Sequence, residues 1–121
     1  MNSVYFALPA CLKAEPKNLT GWGRTHPVSA RVVHPSTLAE LQELVRAAPS
    51  RTLIARGLGR SYGDAAQLDG GTVIELPAFN RIDLDPTSCS VTAGAGVSLD
   101  QILRVIVPAG FSCPLPPAPA T

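Results

Sequence analysis

Residues 55–64 read Ala55-Arg56-Gly57-Leu58-Gly59-Arg60-Ser61-Tyr62-Gly63-Asp64, and they follow the apolar residues Leu53 and Ile54 directly. Glycine has wide conformational freedom, so three glycines within seven residues let the backbone turn several N–H groups toward one point. A concave set of such donors holds an anion. Two arginines and a serine hydroxyl in the segment favour the same ligand. The segment predicts an anion-binding loop, and a plain glycine-rich connection is the alternative that composition leaves open.

Two well-known phosphate loops do not fit this segment. A Walker loop needs Gly-Lys followed by Ser or Thr, and the chain has no lysine after Lys17. A Rossmann loop needs G-x-G-x-x-G at the start of a helix, whereas here Gly63 comes one residue late. The pair Gly70-Gly71 follows too soon to leave room for a helix of about ten residues. We therefore expect the loop to run from strand to strand and to hold a diphosphate through backbone amides alone.

Two segments with capping signals predict helices. Thr37 and Glu40 form a capping box for a helix that ends before Pro49, and Ser98 and Gln101 form one for a helix near 99–107. Both segments carry apolar residues on one face. Strands are predicted at 30–33, 53–55, 72–76, 81–84 and 90–93. This order predicts an α+β fold, a small sheet with two helices.

The ends of the chain differ in character from its middle. Residues 1–18 show no strong period and are predicted to be an irregular lead-in. Residues 19–111 contain the helices and the glycine segment and are predicted to form a partial domain. Residues 112–121 form a proline-rich tail, where proline disfavours helices and central strands.

Composition excludes several classes of function. The 121 residues carry a formal net charge of +1, which gives no reason to expect a nucleic-acid partner. No apolar run approaches the roughly 18 residues of a membrane span. The three cysteines are scattered and odd in number, so neither a disulfide framework nor a metal site is predicted. With no targeting segment recognised, the expected location is cytoplasmic, and association with the cell envelope is the alternative.

Few side chains outside the glycine segment suggest chemistry. His26 and His34 lack the neighbours that define a nucleophile or a metal site, so no catalytic residue is assigned. Trp22 is expected to be a core anchor. Gly21 beside it indicates either a close approach of another backbone or a positive φ.

Three segments carry a resemblance to a known family: Leu19-Thr20-Gly21-Trp22-Gly23-Arg24-Thr25, Ile54 to Asp64 with Gln67, and Ala93-Gly94-Ala95-Gly96-Val97-Ser98-Leu99-Asp100-Gln101. In order and spacing they are similar to the amino-terminal region of FAD-linked oxidases whose FAD-binding domain is of the vanillyl-alcohol-oxidase type. The resemblance is closest to a sugar-oxidising subgroup and covers residues 19 to 115.

The resemblance implies a cofactor and a reaction. That family folds its FAD domain as two α+β subdomains with the flavin between them, and this chain resembles the first subdomain. By resemblance, FAD is the cofactor, a hydride passes to it from a sugar carbinol, and Tyr62 lies near the active face of the flavin. The implied cofactor-binding residues are Ala55, Arg56, Gly57, Leu58, Gly59, Arg60, Ser61, Tyr62, Gly63, Asp64 and Ala65.

One departure from the family pattern shapes the functional expectation. Where the family continues with a Leu-Pro-Gly-Thr-like segment, this chain reads Leu115-Pro116-Pro117-Ala118-Pro119. We therefore expect a truncated FAD-binding portion that is inactive by itself, with the remainder of the oxidase as a separate chain for its partner. The alternative is a non-catalytic, truncated or decayed small α+β protein, which leaves open whether this chain is an enzyme.

Overall fold

The computed structural model describes residues 5–24 and 26–112, and the chain divides into two compact units. Unit 1 runs to Phe79 and unit 2 begins at Asn80. The α+β class predicted from the sequence is confirmed. Unit 1 contains β1 (Ala14–Leu19), β2 (Val28–Val33), α1 (Leu38–Ala47), β3 (Leu53–Ala55) and β4 (Thr72–Ile74). Unit 2 contains β5 (Ile82–Asp85), β6 (Ser90–Ala93) and α2 (Leu99–Ile106).

The sheet of unit 1 has the strand order β1-β2-β4-β3. β1 is antiparallel to β2, whereas β4 runs parallel to both of its neighbours. Successive residues of a strand face opposite sides of the sheet. Val33 and Ile74 accordingly pack with Leu44 of α1, while Val32 and Val73 belong to a second cluster. The parallel pairing brings the carboxyl ends of β3 and β4 to one edge, where the glycine segment begins.

Both predicted capping boxes are present. In α1 the Thr37 hydroxyl accepts from the Glu40 amide at 3.2 Å, and the Glu40 carboxylate accepts from the Thr37 amide at 3.3 Å. In α2 the Ser98 hydroxyl accepts from the Gln101 amide at 3.3 Å, and the Gln101 side chain accepts from the Ser98 amide at 2.8 Å. Each box gives partners to amides at the helix start that have none within the helix.

Unit 2 is a hairpin followed by a helix. β5 and β6 pair antiparallel, and the turn between them is held by the Asp85 carboxylate. That carboxylate accepts from the Ser88 hydroxyl at 2.6 Å and from the Thr87 amide at 2.9 Å, and these hydrogen bonds lower the pKa of Asp85. In α2, Ile106 is the buried residue. The strands of the described residues thus form two sheets where the sequence predicts one.

The irregular lead-in predicted for residues 1–18 is wrong over residues 14–18, which lie in β1. β1 stands at the edge of its sheet, where exposed charges and a proline without an N–H are tolerated. Glu15, Pro16 and Lys17 are therefore compatible with a strand that their composition does not suggest. The predicted tail at 112–121 lies outside the described residues, apart from Ser112. In the part of the chain that the structure describes, no helix is long and apolar enough to cross a membrane.

We predict that Leu44→Ala lowers the free energy of unfolding by about 2–5 kcal/mol, because Leu44 has no exposed surface and its removal leaves a cavity under α1. Val45→Ala is the matched control, since this neighbour on the same helix is 54% exposed. It should change the unfolding free energy by less than about 0.5 kcal/mol. Urea denaturation followed by circular dichroism measures both. Equal effects would contradict the placement of α1 on the sheet.

Candidate functional site

The glycine loop, residues 56–66, follows the carboxyl end of β3, and three of its carbonyl oxygens accept hydrogen bonds from unit 1. The Ser61 carbonyl accepts from the Trp22 amide at 3.1 Å, and the Asp64 carbonyl accepts from the Gln67 amide at 3.0 Å. The Ala66 carbonyl accepts from Nη1 of Arg56 at 3.0 Å. These bonds fix the carbonyl side of the loop backbone against unit 1.

The amides of the loop are used differently. The Arg56 amide donates to the Ile74 carbonyl at 2.8 Å and so belongs to the sheet. Beyond it, the amides of residues 57–66 donate to no acceptor within residues 5–24 and 26–112. Most of these residues are exposed. The loop therefore presents a run of N–H groups that a bound anion could accept from.

Gly59 is needed in this loop for two separate reasons. Its φ of +66° lies in the left-handed region, which other residues adopt only with strain. A side chain at this position would also meet the Arg56 guanidinium, since an added Cβ would lie 2.8 Å from Cζ of Arg56. Gly57 differs, because an added Cβ would have nothing within 4 Å.

Gly21 lets the neighbouring turn, residues 20–24, lie directly against the glycine loop. A Cβ at Gly21 would run into the Gly63 carbonyl oxygen and would lie 3.1 Å from the Ser61 carbonyl oxygen. Of the two alternatives for Gly21, the close backbone approach is therefore confirmed. Two side chains hold the same turn: Arg56 donates to the Thr20 carbonyl at 2.6 Å, and buried Gln67 donates to the Leu19 carbonyl at 3.1 Å.

The turn at residues 20–24 and the glycine loop together line an open groove of about 400 Å³. Three arginines line it: Arg24 and Arg60 are exposed, and the Arg56 guanidinium donates to carbonyl oxygens. The groove is therefore a region of positive potential, which attracts anions. Its lining residues are Thr20, Gly21, Trp22, Arg24, Arg56, Leu58, Gly59 and Arg60.

Two aromatic side chains stand beside the groove. The rings of Trp22 and Tyr62 meet edge to face, with centroids 5.5 Å apart and an interplanar angle of 76°. The prediction that Trp22 anchors the core is wrong, because its side chain is 59% exposed. The close approach of the Gly21 backbone and the Trp22–Ser61 hydrogen bond hold the main chain at the loop, and the ring lies at the surface.

Three further polar residues outside the glycine loop have structural partners within unit 1. Asp69 accepts from the Ser29 amide at 3.1 Å, and Nε2 of His34 lies 3.0 Å from a carboxylate oxygen of Glu75. His26 contributes its carbonyl oxygen to Gln67. Among the described residues, no three His, Cys, Asp or Glu side chains gather in a way that could hold a metal ion. The glycine loop is therefore the feature of this chain with the clearest chemistry.

Comparisons with known proteins find similarity over a range that includes the glycine loop. A family model described as FAD binding domain matches residues 29–120. The decaprenylphosphoryl-beta-D-ribose oxidase of Mycolicibacterium smegmatis is 49% identical over 105 residues, which cover 84% of this chain and 23% of that protein. The FAD-linked oxidoreductase afoF of Emericella nidulans is 35% identical over 88 residues, which cover 69% of this chain and 18% of that protein.

A solved structure shows likeness in the fold. A solvent-stable cholesterol oxidase superposes with a TM-score of 0.72 at 16% sequence identity, over 85% of this chain and 21% of that chain. With coverages of 23%, 18% and 21%, the chain spans about a fifth of the length of these relatives.

We predict that Gly21→Ala destabilises unit 1 by about 1–3 kcal/mol, because the new methyl group is forced against a backbone oxygen that cannot rotate away. Gly57→Ala is the control, with open space around the new methyl group and an expected change below about 0.5 kcal/mol. The fluorescence of Trp22, the only tryptophan, should change in the first variant alone. A stable Gly21→Ala variant with unchanged fluorescence would contradict the contact between turn and loop.

Proposed function

This chain belongs to the FAD binding domain family, and from that premise we propose that its glycine loop binds the diphosphate of FAD as part of a flavin-dependent oxidoreductase. The family description confirms FAD as the cofactor predicted from the sequence. The proposal adds the residues that hold it and the part each one plays.

One observation supports the loop as the diphosphate site: the amides of residues 57–66 have no acceptor within the described residues. A diphosphate offers several anionic oxygens that accept hydrogen bonds and none that donate, so it matches a set consisting of donors. Hydrogen bonds to a charged acceptor are shorter and stronger than bonds between neutral groups. The donor set therefore fits the cofactor of the family.

The proposed site consists of the predicted residues 55–65, which fall into two groups with different roles. Ala55 and Arg56 fix the start of the loop on the sheet, through β3 and through the Arg56–Ile74 hydrogen bond. The amides beyond them donate to the diphosphate, with the Ser61 hydroxyl as an additional donor and exposed Arg60 as a source of attraction. The proposed donor residues are Gly57, Leu58, Gly59, Arg60, Ser61, Tyr62, Gly63, Asp64 and Ala65.

The oxidoreductase reaction belongs to the proposal as well. FAD, when bound, supplies the acceptor for a hydride, and the protein positions the cofactor and excludes side reactions. Tyr62 is 81% exposed beside the loop, and we propose that it faces the flavin. A sugar carbinol is the proposed substrate class, because the relative that is 49% identical is named for decaprenylphosphoryl-beta-D-ribose oxidation. The remainder of the oxidase is then this domain's partner, on the same chain or on a separate one.

We predict that the 121-residue chain by itself binds FAD with a dissociation constant near millimolar or weaker. Leu58 is 74% exposed and Tyr62 81%, so a diphosphate on this loop stays hydrated and each contact contributes about 1 kcal/mol. Binding must also offset a loss of translational and rotational freedom of at least about 4 kcal/mol. Amide shifts of ¹⁵N-labelled protein, titrated with FAD at low ionic strength, measure such constants.

The matched variant for that titration is Gly59→Val, which strains the backbone and meets Arg56. It should abolish the FAD-induced shifts of residues 57–65. Unchanged shifts in this variant would show that FAD binds elsewhere. A submicromolar constant for the wild-type chain would contradict the weak binding and would point to a site completed by a second copy.

We also predict no oxidase turnover by this chain alone. Hydride transfer requires a substrate held in contact with the flavin, since orientation supplies much of the rate. Among the described residues, the groove lining contains no histidine, aspartate or glutamate that could act as a general base. Anaerobic mixing of the chain with FAD and a sugar alcohol should leave the visible absorbance of the oxidised flavin unchanged. Bleaching that depends on the protein would refute the prediction.

A further inference from the structure

We propose that Arg56 is a positioning residue, which shapes the glycine loop for the diphosphate through its bonds to two carbonyl oxygens, and that its charge is not what the loop uses to bind the anion. This inference rests on the proposed function. The sequence favours the opposite reading, because an arginine within a glycine-rich anion loop is readily taken as a source of positive potential.

The contacts of Arg56 join three parts of unit 1. Its amide donates to the Ile74 carbonyl at 2.8 Å, which fixes the residue on β4. Its Nη1 donates to the Ala66 carbonyl at 3.0 Å, at the far end of the loop. Its Nη2 donates to the Thr20 carbonyl at 2.6 Å, in the neighbouring turn. A single side chain therefore ties the start of the loop to its end and to the turn beside it.

The packing of the guanidinium agrees with this role. An added Cβ on Gly59 would lie 2.8 Å from Cζ and 3.3 Å from Nε of Arg56, so the guanidinium lies directly against the loop backbone. The planar guanidinium presents several donors in a fixed geometry, whereas a lysine ammonium is a compact charge on a flexible stem. Lysine at position 56 would keep the charge and lose the two-carbonyl geometry. The chain thus allows charge and geometry to be separated by substitution.

Arg60 supplies the matched comparison within the same loop. It lines the same groove and its side chain is exposed. A charge placed there acts on an anion through long-range attraction, which salt screens. If Arg56 acts through geometry and Arg60 through charge, substitution by lysine should weaken FAD binding at position 56 only. Added salt should reduce the effect of glutamine at position 60 only.

The first experiment uses the ligand-free full chain. Amide hydrogen exchange should show that Arg56→Lys lowers the protection of the Trp22 and Gln67 amides by at least about fivefold, the factor that corresponds to one lost hydrogen bond. Arg60→Lys should leave both amides as in the wild type. The buried strand residues Val32 and Val73 report whether the sheet is intact. If Arg56→Lys also weakens the protection of Val32 and Val73, Arg56→Gln is measured in its place, because glutamine keeps a side-chain amide as a donor. Wild-type protection of Trp22 and Gln67 in the Arg56 variants overturns the proposal.

The second experiment is an FAD titration by amide shifts at low and at high salt. We expect Arg56→Lys and Arg56→Gln to weaken binding alike, by about fivefold or more, at both salt concentrations. We expect Arg60→Lys to bind like the wild type, and Arg60→Gln to bind more weakly at low salt only. If Arg56→Lys retains wild-type affinity while Arg56→Gln loses it at low salt, Arg56 acts through charge and the inference is wrong.

The two proposals fail in distinguishable ways. If FAD shifts no loop amide of the wild-type chain, the proposed function is overturned, and the role of Arg56 in diphosphate binding is overturned with it. If the wild type binds and Arg56→Lys binds equally well, the further inference alone is overturned. The exchange measurement decides the effect of Arg56 on the loop in either case, because it uses no ligand.

Discussion

The Arg56 guanidinium ties the glycine loop to the neighbouring turn through hydrogen bonds to the Ala66 and Thr20 carbonyls. The Ser61 and Asp64 carbonyls accept further hydrogen bonds, so three carbonyls of the loop are occupied by donors of the protein. A peptide unit points its N–H opposite to its C=O, so the amides are left for solvent or an anion. The availability of the loop amides is thus linked to how these carbonyls are satisfied.

The same constraint explains why the loop depends on a segment distant in sequence. The turn at Gly21 lies against the loop carbonyls of Ser61 and Gly63 because it has no side chain there. Gln67, buried at the end of the loop, donates to the Leu19 carbonyl at the end of β1 and to the His26 carbonyl in the β1–β2 connection. Loop and turn are therefore joined through these contacts, and a substitution that breaks one of them is expected to affect both segments. Both the loop and the turn adjoin the sheet, whose buried hydrophobic cluster includes Val32 and Val73.

The sequence predicted the features that depend on local signals. Both helices begin at a side-chain cap that contacts a residue three positions later, so neighbouring residues are enough to find them. β1 was not predicted from the sequence because this edge strand contains Pro16 and lacks the alternation of apolar residues that a buried strand shows. The exposure of Trp22 and the carbonyl bonds of Arg56 depend on residues brought together only by the fold. The turns of the glycine loop were predictable from its glycines, whereas the carbonyl partners of Arg56 were not.

The exposure that leaves the loop amides free also limits what they contribute alone. An exposed N–H already bonds to water, so exchanging water for a phosphate oxygen yields a small net gain. That gain grows when another surface covers the ligand, because charges interact more strongly where water is excluded. The chain spans 23% of the related ribose oxidase, and a preorganised donor loop is the element of such a site that one small unit can build by itself. The shape of the loop is set by internal hydrogen bonds, whereas under the proposed function its affinity for the diphosphate depends on the surface that covers the ligand.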